Sequence, residues 1–309
     1  MTNNRVLVTG ATGFVGRPVV DALRARGLEV HGVSSRRAGS AAGVVWHQAN
    51  LLDPVQTSSL VERVRASRLV HLAWDVRPGA WSGAGSHLAW LAASLHLLER
   101  FAAGGGRRVV MTGSGAEYDW NAGVCAERTT ALEPATLYGT TKLALGRVLE
   151  AYGRETALST AWARIFFTFG PSEDGRRLVA SVVRSLLAGE PAACTEGRQV
   201  RDFLYVDDVA SGIVALLESP VTGPVNIASG QAISVADLAT RIGAVLGRPE
   251  LVRLGARPTP PGESPLVVAD VTRLRDEVGW APAYTLDRAL ETTVAWWRTQ
   301  GAREAAVHD

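Results

Sequence analysis

Short apolar runs alternate along the chain with longer segments in which apolar residues recur every three or four positions. The first run, residues 5–9, is followed by glycines and then by apolar residues at helical spacing from Phe14 to Leu23. Further strands are predicted over 28–33, 44–48, 68–73, 107–112 and 159–165, and helices over 58–66, 87–102 and 136–152. This alternation predicts an α/β fold with a doubly wound parallel sheet, because such units place helices on both faces of the sheet.

The second half of the chain is less regular. Helices are predicted over 178–187, 207–217, 234–246 and 286–297, and one more strand over 224–228. Ser234 is expected to cap the third of these helices and Gly247 to end it, and the chain after Gly301 is expected to fray. We predict a larger unit of residues 1–170, to which 202–228 return, and a smaller C-terminal α/β lobe of 171–201 and 229–309.

Composition narrows the possible classes of protein. The 309 residues are 47% hydrophobic and 20% charged, which is ordinary for a globular protein. A net charge of +2 gives no reason to expect binding to nucleic acid or to a membrane. Two cysteines, Cys125 and Cys194, cannot form a disulfide framework, and no signal peptide or membrane-spanning run is evident. A cytoplasmic location is therefore expected.

A glycine-rich turn follows the first strand. Gly10 permits the tight turn, Gly13 lets the backbone approach a pyrophosphate, and Gly16 allows close packing of the next helix on the strand. The helix N-terminus supplies free N–H donors and positive partial charge. The segment between the glycines adds Thr12, Phe14 and Val15. Its position between a strand and an amphipathic helix predicts a dinucleotide site, whereas the alternative is a turn that serves packing alone.

The end of the second strand bears on the choice of dinucleotide. An NAD site usually has a carboxylate here, yet no Asp or Glu lies between Val30 and Gly43. Ser34, Ser35, Arg36 and Arg37 would instead suit the 2′-phosphate of NADP, which a guanidinium binds in bidentate fashion. We therefore favour NADP(H) and keep NAD as the alternative. The alternative is that Arg36 and Arg37 are solvated loop arginines that bind no ligand.

Three residues form a candidate catalytic set. Tyr138 and Lys142 are four residues apart in a predicted helix, so they share one face. Lys142 is the only lysine in the chain, and a nearby ammonium is expected to lower the pKa of the tyrosine. Ser114 follows a predicted parallel strand and faces the crevice where ligands bind in such sheets. Thr112 is a poorer candidate for the same role, and a loop serine that caps a turn is the alternative for Ser114.

These motifs together resemble the extended short-chain dehydrogenases/reductases of the nucleotide-sugar epimerase/dehydratase family. The resemblance covers nearly the whole chain and is carried by residues 9–16, 70–73, 114–118, 138–142, 164–171, 201–208 and 226–230. It implies a Rossmann-type sheet, a substrate-binding C-terminal lobe, and a catalytic triad of Ser114, Tyr138 and Lys142. It also implies that Arg201, and with less support Arg257, binds the sugar-nucleotide pyrophosphate. Members of the family pair the helices predicted over 87–102 and 136–152 into a dimer, so a homodimer is expected.

The chain departs from the family pattern at several positions. Family dehydratases carry an Asp-Glu pair after the catalytic hydroxyl, but Gly115 and Ala116 stand there, which argues against 4,6-dehydration. Glu117 is next, and its side chain is expected to point elsewhere if the segment is extended. Phe167 replaces an asparagine that contacts phosphate, and Asn50 replaces an aspartate near the adenine. Leu51, Leu72, Ala73, Trp74 and Thr112 complete the predicted cofactor site, and Trp74 and Phe167 are also predicted to touch the substrate.

Several tryptophans and histidines are further candidate site residues. Trp74, Trp81 and Trp90 fall where the crevice should open and could stack on a sugar or base, although ordinary packing is the more frequent role. His71 lies in an apolar strand and is expected to be a buried, hydrogen-bonded histidine. No histidines have metal-ligand spacing, so no metal is expected.

The sequence thus leads to one main hypothesis and two alternatives. The main one is an NADPH-dependent reductase of the C4 keto group of a nucleotide-activated 4-keto-6-deoxy sugar. Tyr138 would protonate the oxygen, Ser114 would orient it, and Lys142 would tune Tyr138 and hold the ribose. The first alternative is an NAD-dependent nucleotide-sugar 4-epimerase, and the second is an NADP(H)-binding regulator without catalytic activity.

Overall fold

The computed structural model describes residues 4–36, 42–77 and 85–306. In these residues, seven parallel strands form the largest of three sheets. They are β1 (Arg5–Thr9), β2 (Glu29–Ser34), β3 (Val44–Gln48), β4 (Arg68–His71), β5 (Arg108–Ser114), β7 (Ser159–Ile165) and β11 (Gly223–Ile227). Their order is β11-β7-β5-β4-β1-β2-β3. In the register, Val8 lies opposite Gly32 on one side and Val70 on the other. The predicted doubly wound parallel sheet is confirmed.

Helices cover both faces of this sheet. They are α1 (Gly16–Ala25) and α6 (Val206–Glu218) on one face, and α2 (Pro54–Val64), α3 (Gly85–Ala103) and α4 (Leu137–Glu155) on the other. The strands alternate accordingly, because Val6 and Val8 pack with the first pair of helices and Leu7 packs with the other three. The alternating side chains of the strands therefore serve two separate cores.

Local capping explains where two of these helices begin. Asp53 accepts hydrogen bonds from the backbone N–H groups of Val55 and Gln56, with Pro54 in the first helical position. Thr136 accepts from the backbone N–H of Gly139 and so sets the first turn of α4. The start of α4 matters most here, because that turn carries Tyr138.

A second, mixed sheet forms beside the first. It contains β12 (Ala232–Ser234), β10 (Val200–Tyr205), β14 (Leu266–Ala269) and β6 (Val124–Cys125), in that order, and β8 (Phe167–Phe169) pairs with β10. A two-stranded sheet pairs β9 (Ala192–Ala193) with β13 (Val252–Arg253), and α5 (Leu178–Leu187), α7 (Val235–Leu246) and α8 (Leu286–Ala306) share a third core. The chain passes from β7 of the first sheet directly into β8, which pairs with β10 of the second, so the two sheets meet along residues 165–167.

The predicted elements are present, with bounds shifted by a few residues at most places. Ser234 caps α7 by accepting from Asp237 N, and Gly247 ends it in the left-handed conformation, both as predicted. The last helix, α8, continues past Gly301 to Ala306, and the expectation that this end frays stays a prediction. β6 joins the second sheet although it lies within residues 1–170, and the division of the chain into two units stays a prediction. Over the described ranges, no helix combines the length and hydropathy needed to cross a membrane.

Candidate active site

A cavity of about 250 Å³ opens at the carboxyl ends of the central strands. This is the edge of a parallel sheet where ligands bind in folds of this kind. Predicted residues that line it are Gly10, Gly13, Phe14, Val15, Gly16, Leu72, Ala73, Trp74, Thr112, Ser114, Tyr138 and Lys142. The structure therefore brings the glycine-rich turn and the catalytic set to one cavity, although they are more than 100 residues apart in the chain.

The glycine-rich turn is too tight for any other residue at two positions. Gly10 has a φ of 66°, and a Cβ there would lie 2.9 Å from the backbone N of Ala73. A Cβ on Gly16 would lie 2.0 Å from the carbonyl oxygen of Gly10. The close approach leaves the first turn of α1 open toward the cavity, as a pyrophosphate held by backbone N–H groups requires. The residues present thus fit a dinucleotide.

A buried hydrogen-bond chain holds the strand ends beneath this turn. His71 Nδ1 lies 2.7 Å from Thr9 Oγ1, and His71 Nε2 lies 2.8 Å from Ser94 Oγ. Thr9 Oγ1 in turn accepts from the backbone N–H groups of Leu72 and Ala73. His71 is 3% exposed, and burial lowers its pKa to about 3, so it stays neutral. The prediction of a buried, hydrogen-bonded histidine is confirmed.

Tyr138 and Ser114 meet at the cavity wall. The two side chains are hydrogen-bonded to each other, which places the phenol beside the hydroxyl that would orient a carbonyl oxygen. Burial raises the pKa of Tyr138, while the bond with Ser114 and the charge of Arg177 act against that rise. Lowering of this pKa by Lys142, as predicted from the sequence, is not what the structure shows. Desolvation outweighs any nearby positive charge.

Lys142 points to the floor of the same cavity. It is 3% exposed, and its Nζ donates to the carbonyl oxygen of Thr112 at 2.8 Å. The same Nζ lies 4.0 Å from the centroid of the Trp74 ring. Burial lowers the pKa of Lys142 to about 7, and the charge of Glu117 acts in the opposite direction. The lysine is therefore poised between its charged and neutral forms near neutral pH.

Aromatic rings enclose the catalytic pair. The Trp74 indole donates to His87 Nδ1 at 3.2 Å, and the His87 ring lies 5.5 Å from the Tyr138 ring, centroid to centroid. The Trp90 ring stacks on the Trp74 ring, with 6.4 Å between the centroids. Trp74 is thus both a lining residue of the cavity, as predicted, and a packed residue of the core. Trp81 lies outside the described residues.

Behind Ser114 lies a buried ion pair. The chain leaves β5 in a 3₁₀ turn at Gly115–Glu117, so Glu117 turns inward rather than alternating as in a strand. Its carboxylate accepts from Arg164 Nε at 2.8 Å and from the backbone N–H of Ser114 at 2.8 Å. Glu117 is 0% and Arg164 4% exposed. The segment is not extended, so the condition under which Glu117 was expected to alternate to another direction is not met.

A second cavity of about 500 Å³ adjoins the first across β8. Arg201 and Phe167 line it, as predicted, with the guanidinium 5.6 Å from the Phe167 ring. Arg201 Nη2 donates to Glu263 Oε1 at 3.0 Å. Arg257 is exposed and is not among the residues that line this cavity. Of the two arginines predicted to bind a pyrophosphate, the structure brings only Arg201 to the site.

Known structures and sequences resemble this chain over most of its length. A structure of UDP-glucose 4-epimerase from Thermotoga maritima with UDP-glucose is 25% identical, covers 96% of this chain and 99% of its own, and gives a TM-score of 0.87. A structure of the Thermus thermophilus UDP-glucose 4-epimerase with NAD is also 25% identical. It covers 95% of this chain and 99% of its own, with a TM-score of 0.85. UDP-glucuronate 4-epimerase 1 of Arabidopsis thaliana is 28% identical over 94% of this chain and 76% of its own length.

A sequence model decides the family. The model described as the NAD dependent epimerase/dehydratase family matches residues 6–229. The chain belongs to this family. As a member of the NAD-dependent epimerase/dehydratase family it is an enzyme of NAD(P)-dependent nucleotide-sugar chemistry, and the predicted resemblance and the NAD(P) cofactor are confirmed at that level.

The remaining cofactor residues predicted for this family member are not among the residues that line the cavity. Ser34 is buried, and its Oγ accepts from the backbone N–H of Arg36, whose side chain is exposed beside that of Ser35. Arg37 lies outside the described residues. Thr12 and Asn50 are exposed and Leu51 is buried, and none of the three lines the cavity described above. Asn50 Oδ1 accepts from Leu52 N, which orders the turn after β3.

Four residues of the site were not predicted from the sequence. Arg177 lines the catalytic cavity, and His87 contacts Tyr138. Glu263 pairs with Arg201, and Glu117 anchors the Ser114 backbone. Only Glu117 carried a usable signal, since a charged residue one turn after the catalytic serine is unusual at a buried strand end. The other three come from distant segments, so no local pattern marks them.

Proposed function

We propose that this protein is an NAD(P)-dependent nucleotide-sugar 4-epimerase. The observation that carries the proposal is the Ser114–Tyr138 hydrogen bond beside Lys142, in the cavity that the glycine-rich turn borders. Gly115 and Ala116 follow Ser114, so the acid pair of the family dehydratases is absent from that place. Relatives that support an epimerase include UDP-glucuronate and UDP-glucose 4-epimerases.

The residues of the chain would divide the work at C4 of the sugar. The bound nicotinamide supplies the acceptor and donor of hydride. The Tyr138 phenolate takes the proton of the C4 hydroxyl as the C4 ketone forms, and the phenol returns that proton to the oxygen when the opposite face is reduced. Ser114 orients the oxygen through its hydroxyl. Lys142 holds the ribose and contributes positive charge near Tyr138 when it is protonated.

The second cavity would hold the nucleotide part of the substrate. Arg201 is the buried cation that suits a diphosphate, and Phe167 offers a ring face beside it. A diphosphate must compete with Glu263 for the Arg201 guanidinium, because the carboxylate occupies one of its N–H donors. Arg257 would take part only if its loop moved toward the cavity.

A second candidate is the NADPH-dependent 4-ketoreductase, and the end of β2 favours it. Glu29, at the start of β2, is the only acidic residue of that strand, and Ser34, Ser35 and Arg36 follow at its carboxyl end. This arrangement suits the 2′-phosphate of NADPH, a cofactor that would exchange with each turnover. The same triad would then protonate the C4 oxygen once, without the return step.

One experiment separates the candidates. The purified protein is first analysed for bound dinucleotide and then incubated with UDP-glucose, UDP-glucuronate or a dTDP-4-keto-6-deoxy sugar, with or without NADPH. A 4-epimeric product without added cofactor supports the epimerase. Oxidation of NADPH at 340 nm with the keto sugar alone supports the reductase. Binding of NADP(H) without turnover of any of these sugars would contradict both and favour a regulator.

Assembly and location complete the proposal. We propose a homodimer through the outer faces of α3 and α4, where Leu88, Leu137 and Val148 are 59%, 37% and 43% exposed. A solution mass equal to one chain would contradict it.

We also propose a cytoplasmic location, because both cysteines are buried free thiols, as a reducing compartment would keep them.

A further inference from the structure

A buried carboxylate lies behind the triad and is held from three directions. Glu117 accepts from the backbone N–H of Ser114 and from Arg164 Nε, and the Trp162 indole Nε1 lies 3.0 Å from both of its oxygens. Replacing such a buried ion pair by apolar residues is often neutral for stability or even favourable. A contribution to the fold alone therefore does not explain why this pair stands at the end of the catalytic strand.

The strand end is built around this carboxylate. A Cβ on Gly113 would lie 2.4 Å from Glu117 Oε1 and 2.2 Å from Trp162 Nε1, so only glycine admits the pair. Ser114 Oγ accepts from the backbone N–H of Ala116 while Glu117 accepts from that of Ser114, which forms a reciprocal capping box. The Ser114 backbone and side chain are thus both tied to the turn that contains Glu117.

Further hydrogen bonds brace the partner of Glu117. Arg164 Nη1 lies 2.9 Å from the Tyr118 hydroxyl, which donates to Asn226 Oδ1 at 2.8 Å. The Asn226 amide donates to the carbonyl oxygen of Cys125 at 2.9 Å. These bonds link the turn after β5 to β7, β11 and β6, so the guanidinium cannot turn away from Glu117 without breaking several of them.

We propose that Glu117, braced by Arg164, is a positioning residue of this active site: it fixes the Ser114 backbone and places a buried negative charge against Gly113, the residue after the Thr112 whose carbonyl holds the Lys142 ammonium. Burial lowers the pKa of Lys142 to about 7 even though the charge of Glu117 acts to raise it. Among the described residues, the titratable or charged groups that face this region are His71 on β4, His87 on α3, Glu117 and Tyr118 after β5, Tyr138 on α4, Arg164 on β7 and Arg177 before α5. Glu117 is the one carboxylate among them.

The single lysine makes a direct test possible. In protein labelled with ¹³C-lysine, the one lysine Cε signal reports the pKa of Lys142 without substrate or cofactor. The double variant E117Q/R164M avoids an unpaired buried arginine and is expected to lower that pKa by about one pH unit or more. E117Q alone is measured beside it. A folded variant in which Lys142 titrates as in the unchanged protein would overturn the proposal.

Two further variants separate charge from position. E117D keeps the charge and the Arg164 partner, so the pKa of Lys142 is expected to stay near its original value. This variant also keeps the proposal testable if the Gln variants do not fold. An E117D titration that falls by about one pH unit or more would also overturn the proposal. D208N is the matched control, because Asp208 is buried and accepts from the backbone N–H groups of Ala283 and Tyr284 away from the triad. It is expected to change nothing at Lys142.

The kinetic arm of the test rests on the proposed function. At one pH unit above the Lys142 pKa of the double variant, its kcat is expected to be about tenfold lower and to recover as the pH is lowered, since protonation restores the ammonium. E117D is expected to lower kcat at every pH without moving the profile, because Ser114 loses its anchor. An unmoved profile in the double variant contradicts the inference. Inactivity of the unchanged protein on every sugar contradicts the proposed function and leaves the titration result standing.

Discussion

The Lys142 ammonium lies 4.0 Å from the centroid of the Trp74 ring. An ammonium over the face of an indole is stabilised by about 0.5–2 kcal/mol, most where water is excluded. Trp74 is 8% exposed and also donates to His87, so the ring is fixed in place. Trp74, which follows β4, therefore contacts the catalytic lysine and also packs in the core.

Replacing Trp74 should change the protonation of Lys142. We expect Trp74→Leu to lower the pKa of Lys142, because the cation loses the ring face that stabilises it. Trp74→Phe keeps a ring and should retain most of the effect. The ¹³C-lysine titration measures both variants. Equal pKa values in the Leu and Phe variants would show that the ring face contributes nothing.

Removal of the Tyr138 hydroxyl should lower kcat strongly and change dinucleotide affinity little. Tyr138→Phe is expected to lower kcat by about 10³-fold, since proton transfer by a positioned group contributes about 10²–10⁴-fold. Dinucleotide affinity, measured by calorimetry, should stay within about twofold. Tyr152→Phe on the same helix is the control and should keep full activity. A loss below about tenfold for Tyr138→Phe would refute its role.

The glycine-rich turn should reject even one added carbon. In Gly16→Ala the new Cβ would lie 2.0 Å from the carbonyl oxygen of Gly10, so the turn must shift and its N–H groups leave their places. We expect dinucleotide affinity to fall by at least about tenfold, equivalent to 1.4 kcal/mol. Gly27→Asn is the control, since a side chain there meets open space and Asn tolerates the left-handed conformation. Unchanged affinity in Gly16→Ala would place the dinucleotide elsewhere.

Arg36 should affect the choice between the two dinucleotides. Arg36→Ala is expected to weaken NADP(H) by roughly tenfold and to leave NAD(H) unchanged, because only the former carries a 2′-phosphate for the guanidinium. Arg147→Ala, another exposed arginine, is the control. Titration by fluorescence or calorimetry gives both affinities. An equal loss of affinity for both dinucleotides, or no loss of affinity for either, would contradict an NADP site.

Buried Lys142 should make stability depend on pH above neutrality. Its pKa is about 7 in the folded protein and near its ordinary value of 10.5 when unfolded, so the unfolded chain binds more protons between these two pH values. Stability from this group therefore rises with pH through that window and is lost as the pH falls toward 7. The Tm of the unchanged protein minus that of Lys142→Met should increase from pH 7 to 9.5. A constant or decreasing difference would mean that Lys142 is not buried as described.

Much of the fold could be predicted because local patterns produce it. Residues 5–25 form a strand, a glycine turn and a helix, as the local pattern predicts, and the turn tolerates no other residue at Gly10 and Gly16. Ser234 and Gly247 bound α7 through contacts within a few residues. The spacing of Tyr138 and Lys142 likewise follows from one helical turn. Such features depend on neighbours along the chain, which a sequence displays directly.

Other features exist only because distant segments meet. Glu117 turns inward to Arg164, 47 residues later, and Glu263 reaches Arg201, 62 residues earlier. The pKa of Tyr138 rises rather than falls, because the packing that buries it outweighs the cations nearby. Burial and long-range charge are sums over the whole folded molecule. The sequence by itself therefore determined the elements, the glycine turn and the catalytic side chains, whereas the tertiary structure decided their protonation and the residues that hold them.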